Sequence, residues 1–140
     1  MKIAVGCDHG GIALKEEIVV AVKELGHEVE DQGCFAAESV DYPTFAKSVC
    51  AQVQSGRCER GILVCGTGIG MSMVANRFDG IRAALCHELY TARMSREHND
   101  ANVLCLGARV IGPGLAVEIV RTWLTTEFAG GRHLKRIEMF

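Results

Sequence analysis

The apolar residues of the chain fall into short continuous runs that alternate with segments of helical period. The clearest run, residues 61–65, is apolar throughout, which indicates a strand buried on both faces, as in a parallel sheet. Four further runs predict strands, with the weakest signal at 27–31: residues 2–6, 27–31, 81–86 and 102–106. We therefore expect five strands.

Helices are predicted between these strands from apolar positions at helical spacing. The first runs to about Leu25, where Gly26 is a natural stop, and the second has Pro43 in its first turn. Pro113 begins a long helix that we expect to end near Phe128. The other predicted helices follow the glycine-rich loop at 66–70 as far as about residue 76, cover about 88–97, and form a short cationic end at 132–140.

Repeated strand–helix units of this length predict a parallel sheet covered by helices, with right-handed crossovers. The expected fold class is α/β: one three-layer α/β/α, Rossmann-like domain over residues 1–140, with a five-stranded parallel sheet. Ligands of such sheets bind beyond the carboxyl ends of the strands. Residues at four predicted strand ends should therefore share one edge: Asp8, His9, residues 65–70, His87, Gly107 and Arg109.

Composition narrows the function classes without identifying one. The formal net charge of −2 gives no reason to expect nucleic acid or an anionic membrane as a partner. No signal peptide is apparent, and no apolar run approaches the ~18 residues of a membrane span. The seven cysteines are an odd number with no CxxC pair, so neither a disulfide framework nor a zinc site is expected. A reducing, cytoplasmic location fits.

The loop Gly66-Thr67-Gly68-Ile69-Gly70 joins the clearest strand to a helix. Its glycines allow a ligand to approach successive backbone N–H groups, and these amides together with a helix N-terminus favour negative charge. The loop lacks the Lys-Ser/Thr ending of a P-loop and does not fit the dinucleotide fingerprint. A tight turn that needs glycine for geometry alone is the alternative. Cys65 favours a functional role for the loop over a purely structural one, because amide dipoles stabilise a thiolate, which can act as a nucleophile or a general base.

Three other segments carry candidate chemistry, each with a structural alternative. Asp8 could cap the first helix or bind sugar hydroxyls, and His9 could contact an anion. His98, followed by Asn99 and Asp100, could be an ordinary residue at a helix end or an acid/base near neutral pH. The basic cluster at 132–136 could be a solvated helix, or its two arginines at i,i+4 could grip a phosphate.

Five motifs in order make a resemblance specific, and it runs essentially from end to end. They are GCDHGG at 6–11, DYP at 41–43, GILVCGTGIG at 61–70, SREHNDANVL at 95–104 and GGRH at 130–133. The chain resembles the type B ribose-5-phosphate isomerase family, which also contains allose- and galactose-6-phosphate isomerases. This resemblance implies a cofactor-free and metal-free aldose–ketose isomerase that interconverts ribose 5-phosphate and ribulose 5-phosphate.

The resemblance also implies residue roles. Cys65 matches the base that moves a proton between C1 and C2 through a cis-enediolate, and His98, aided by Asp8, matches the group that opens the furanose ring. The enediolate oxygen would be stabilised by the loop amides with Thr67. The remaining matches are Asn99 to a sugar-hydroxyl or intermediate contact, His9, Arg132 and Arg136 to phosphate binders, Arg109 to a phosphate contact made across a dimer interface, and Tyr42 and His133 to the pocket lining.

Some relatives lack this cysteine and use a glutamate in the following helix, but residues 71–77 contain no acid here, which favours Cys65 as the base. The resemblance implies a homodimer with shared active sites, with a tetramer as the alternative. Two alternatives stay open. The substrate could be allose 6-phosphate or another six-carbon sugar phosphate, or the chain could be a non-catalytic sugar-phosphate binding module.

Overall fold

The computed structural model describes all 140 residues and contains five strands and six α-helices. The strands are β1 (Lys2–Cys7), β2 (Glu28–Asp31), β3 (Arg60–Cys65), β4 (Ala83–Leu85) and β5 (Val103–Gly107). The helices are α1 (Ile12–Glu24), α2 (Tyr42–Gln54), α3 (Ile69–Ala75), α4 (Leu89–Glu97), α5 (Pro113–Thr125) and α6 (Arg132–Ile137), with a 3-10 turn at His9–Gly11.

All five strands are parallel, in the spatial order β2-β1-β3-β5-β4. Helices α1, α4 and α5 pack on one face of the sheet, and α2 and α3 pack on the other. The central strands β1, β3 and β5 are almost wholly buried, as continuous apolar runs between two helical layers require. The predicted three-layer α/β/α fold with a five-stranded parallel sheet is confirmed.

Three predicted boundaries are wrong. Strand β4 covers Ala83–Leu85 rather than 81–86, because Ile81 closes a turn onto Phe78 and the backbone N–H of Arg82 donates to the Asn102 side chain. The final helix ends at Ile137 instead of continuing to 140. Helix α5 ends at Thr125 instead of near Phe128, because the backbone at Thr126 turns to an extended conformation.

Two buried arginines hold the end of α5 in place. Arg60 donates to the carbonyl oxygens of Trp123 and Leu124, both at 3.1 Å, and Arg96 donates to that of Thr126 at 3.3 Å. These carbonyls lack partners inside the helix, so the guanidinium groups supply the missing donors. The segment after α5 is thereby fixed beside the C-terminal end of α4, where the backbone N–H of Ala129 also donates to the carbonyl of Glu97.

Candidate active site

Cys65 is the last residue of β3 and is 5% exposed. Its Sγ accepts a hydrogen bond from the backbone N–H of Gly68 at 3.1 Å. Gly68 has φ of 76°, in the left-handed region that glycine adopts without strain. A Cβ at this position would lie 2.6 Å from Cδ1 of Leu85 and 2.9 Å from the carbonyl carbon of Leu106. Glycine at 68 therefore both permits the turn and places an amide against the thiol.

The other loop amides around Cys65 are available to a ligand. The N–H groups of Gly66 and Thr67 donate to no acceptor within the chain. The hydroxyl of Thr67 accepts from the N–H of Ile69 at 3.3 Å, where α3 begins. The N–H of Gly70 belongs to the first turn of that helix, whose amides have no intrahelical acceptor. The predicted loop therefore presents a thiol and several free backbone donors together, an arrangement that stabilises an oxyanion.

The turn after β5 fixes this loop from one side. The N–H groups of Ala108 and Arg109 donate to the carbonyl oxygens of Cys65 at 2.8 Å and Gly66 at 2.9 Å. A Cβ on Gly107 would lie only 2.7 Å from the carbonyl carbon of Thr67, so only glycine permits this approach. The side chain of Arg109 lies against Gly66 of the same chain. The predicted phosphate contact of Arg109 across a dimer interface stays a prediction.

Asp8, His9 and Tyr42 lie at the same edge of the sheet. The Asp8 carboxylate accepts from the N–H of Gly10 at 2.9 Å and caps the 3-10 turn His9–Gly11, whereas α1 itself begins after Gly11 without a side-chain cap. His9 Nδ1 accepts from the N–H of Val40 at 3.2 Å, which leaves Nε2 as the protonated nitrogen. The ring of Tyr42 packs on Gly70, since a Cβ there would lie 2.6 Å from the Tyr42 Cζ.

A second cluster contains His98, Asn99 and α6. The imidazole rings of His98 and His133 are stacked, with 4.2 Å between their centroids and an interplanar angle of 10°. Partial burial and then the neighbouring charges of His98, Arg132 and Arg136 lower the pKa of His133. Neither arginine forms an ion pair within the chain, and both are exposed. The cluster combines imidazoles with unpaired cations, which suits a phosphate.

The two clusters lie at opposite edges of the sheet. Helix α4 begins after the carboxyl end of β4 and returns to the start of β5, so His98 lies beside the strand starts. Arg82, just before β4, accordingly donates to the backbone carbonyls of Asn99 and Asp100. Strand β3 runs from one edge to the other, and its residues Gly61 to Cys65, which pair with β5, span roughly 13 Å. Asp8 and His98 of one chain therefore lie at opposite edges, and the predicted help from Asp8 to His98 stays a prediction.

His87 was expected at the carboxyl ends of the strands, but no role was predicted for it. Its Nε2 accepts a hydrogen bond from the backbone N–H of Gly107 at 2.9 Å, and burial lowers the pKa of its imidazole. No motif signals this contact, because it joins residues 20 positions apart.

No group of three or more His, Cys, Asp or Glu side chains is placed to hold a metal ion, and no helix is long and apolar enough to cross a membrane.

Gly107→Ala should destabilise the fold, because the new methyl group would meet backbone atoms of Thr67 that cannot rotate away. We expect the free energy of unfolding in urea to fall by about 1–3 kcal/mol, as overpacking typically costs. Gly114→Ala is the matched control, since a Cβ there meets nothing within 4 Å, and its unfolding free energy should be unchanged or slightly raised. Equal stability of the two variants would contradict the tight contact.

Comparison with known proteins identifies the family of the chain. The sequence model of the Ribose/Galactose Isomerase family matches residues 3–140. The chain is 52% identical to ribose-5-phosphate isomerase B of Escherichia coli over 137 residues, covering 98% of this chain and 92% of the relative. It is 45% identical over 139 residues to the D-erythrulose-4-phosphate isomerase of Pectobacterium atrosepticum, covering 99% and 91%.

The fold agrees equally well with solved structures. The structure of ribose-5-phosphate isomerase B from Clostridium thermocellum superposes with a TM-score of 0.97 at 57% identity, covering 99% of this chain and 94% of that one. The type B ribose 5-phosphate isomerase of Trypanosoma brucei superposes with a TM-score of 0.96 at 50% identity, covering 99% and 95%. The chain belongs to the ribose/galactose isomerase family.

Proposed function

We propose that this chain interconverts ribose 5-phosphate and ribulose 5-phosphate, with Cys65 as the base that moves the proton. The observation that carries the proposal is the thiol of Cys65 within hydrogen-bond distance of the Gly68 amide, next to the unused amides of Gly66 and Thr67. A base beside free backbone donors is what enolisation next to a carbonyl requires. Family membership supports the same reaction class.

The proton transfer follows from this geometry. In the open-chain aldose, the Cys65 thiolate removes the proton from C2, and the electrons of that bond move to give a cis-enediolate. The loop amides stabilise the developing negative charge on oxygen. Cys65 then returns its proton to C1, while O1 gains a proton and O2 loses one, which gives the ketose. Helix α3 carries no carboxylate, so no acidic side chain of that helix competes for the base role.

We assign ring opening and part of the phosphate binding to the second cluster. His98, stacked on His133, is the proposed acid/base that opens the furanose, and Asn99 lies next to it in the chain. The phosphate would be held by His9 and Arg109 on the Cys65 side and by Arg132 and Arg136 of α6. The three arginines have no carboxylate partner within the chain, so a dianion can bind them without displacing an ion pair, and Nε2–H of His9 can donate to it.

We infer that the active unit is a homodimer, because the two clusters cannot meet in one chain. In a two-fold dimer, the strand-end edge of one copy can face the strand-start edge of the other, which completes two equivalent sites. The Cys65 edge is an open surface, and none of the cavities of the single chain is lined by Cys65. Exposed apolar side chains near it suit burial against a second copy: Tyr42, Ile69, Met73, Leu85, Leu89 and Tyr90.

Cys65→Ala should remove the base and leave the fold intact, because the replacement is smaller and apolar. We expect ribose 5-phosphate isomerisation to fall by at least roughly 100-fold, the low end of general acid–base contributions. Exchange of the C2 proton with solvent, followed by NMR in D₂O, should disappear in parallel. Cys50→Ala is the matched control: Cys50 is a buried cysteine on α2, and its variant should keep the exchange.

Retained exchange in folded Cys65→Ala would exclude its role as the base. No exchange with the wild-type protein would instead favour the non-catalytic binding module. The same assay run on allose 6-phosphate tests the six-carbon alternative. We expect kcat/KM to be higher for ribose 5-phosphate than for allose 6-phosphate.

Arg136→Leu should weaken substrate binding without slowing the proton transfer, because the phosphate is bound equally in ground and transition states. We expect KM for ribose 5-phosphate to rise roughly 10-fold or more, as loss of a charged hydrogen bond implies, with kcat changed less than about threefold. Lys135→Leu on the same helix is the control and should leave KM nearly unchanged. A fall in kcat at constant KM would place Arg136 in the chemical step instead.

A further inference from the structure

The hydrogen bond between His87 and Gly107 forms where the sheet runs out. Leu85, the last residue of β4, pairs with Cys105, but β5 continues for two more residues to Gly107. Beyond Leu85 there is no strand on that side to pair with the buried end of β5. The imidazole of His87 fills this place, with its Nε2 2.9 Å from the backbone nitrogen of Gly107.

Gly107 is also the point at which β5 meets the catalytic loop. Its Cα side faces the backbone of Thr67, and the next two residues donate to the carbonyls of Cys65 and Gly66. A shift of Gly107 would therefore move the turn that holds the two free amides and the thiol. Catalytic geometry tolerates such shifts poorly, since about 1 Å of misplacement can cost ~10²-fold in rate.

The imidazole can accept this hydrogen bond only when Nε2 is unprotonated, so the ring must be neutral with its proton on Nδ1. Burial lowers the pKa of the imidazole and favours that neutral form. No charged side chain forms an ion pair with the ring. The Glu88 carboxylate instead accepts from the amides of Tyr90 and Thr91 at the start of α4.

We propose that His87 is a positioning residue for the isomerisation: through Gly107 it holds the Cys65–Thr67 backbone in the arrangement that stabilises the enediolate. This inference rests on the proposed function. His87 does not contact the reacting atoms, so it acts on the rate through the loop.

Two variants separate positioning from bulk packing. His87→Leu removes the acceptor while keeping a side chain of similar size, and His87→Gln keeps an acceptor at about the same reach. We expect His87→Leu to lower kcat roughly 10- to 100-fold with KM changed less than about threefold, and His87→Gln to retain most of kcat. His27→Leu is the matched control, since His27 lies at the other edge, before β2, and should leave kcat unchanged.

Wild-type kcat in His87→Leu, a loss confined to KM, or an equal loss in His87→Gln would overturn the inference. Absence of C2 proton exchange in the wild-type protein would instead overturn the proposed function, before any variant is compared. If His87→Leu does not fold, ¹⁵N NMR of the histidine rings in the wild-type protein decides. The Nδ1–H tautomer of His87 is expected, and the Nε2–H tautomer would contradict the hydrogen bond to Gly107.

Discussion

The approach of the turn after β5 to the loop after Cys65 is the contact on which the site depends. Two backbone hydrogen bonds, from Ala108 to Cys65 and from Arg109 to Gly66, join the segments. At the centre of this contact, Gly107 leaves no room for a side chain against Thr67. The carbonyls of Cys65 and Gly66 accept from the β5 turn, while the N–H groups of Gly66 and Thr67 have no acceptor within the chain. The proposed anion site therefore depends on how two parallel strands end side by side.

The same topology places the two residue clusters of the proposed site at opposite edges of the sheet. A helix that follows a parallel strand must return to the opposite edge of the sheet before the next strand begins. Helix α4 does so, and it carries His98 away from the edge where Cys65 lies. Arg96 then binds the carbonyl of Thr126, which holds the segment leading to α6 beside His98. The proposed base and the proposed phosphate-binding arginines thus lie at opposite edges of one domain, and in the proposed dimer a second copy brings them together.

Local patterns were sufficient to predict most of the fold and the position of the loop after Cys65. Continuous apolar runs locate the buried strands, and a cysteine followed by three glycines in five residues marks the loop, because both signals are contiguous in sequence. The hydrogen bond from Gly107 to His87 and the carbonyls bound by Arg60 and Arg96 join distant segments, so no local pattern indicates them. The contacts of Arg60 and Arg96 hold the end of α5 at Thr125, whereas the sequence pattern predicted an end near Phe128.

Residue roles taken from the family resemblance carry no spatial information by themselves. The structure places Asp8 at the carboxyl ends of the strands and His98 beside the strand starts, so the predicted cooperation of these two residues would need a second copy. The Arg109 side chain lies against Gly66 of its own chain, and its predicted phosphate contact across an interface stays a prediction. Only the sheet order and the direction of each helix separate these possibilities.

Mixing two inactive variants tests the shared site most directly. Cys65→Ala and His98→Gln each disable a different cluster, so each homodimer should be strongly impaired. After subunit exchange, half of the dimers are mixed and each contains one intact site, so activity should recover to roughly a quarter of the wild-type value. A mixture that stays as inactive as its parents, with exchange verified by native mass spectrometry, would contradict a site assembled from two copies.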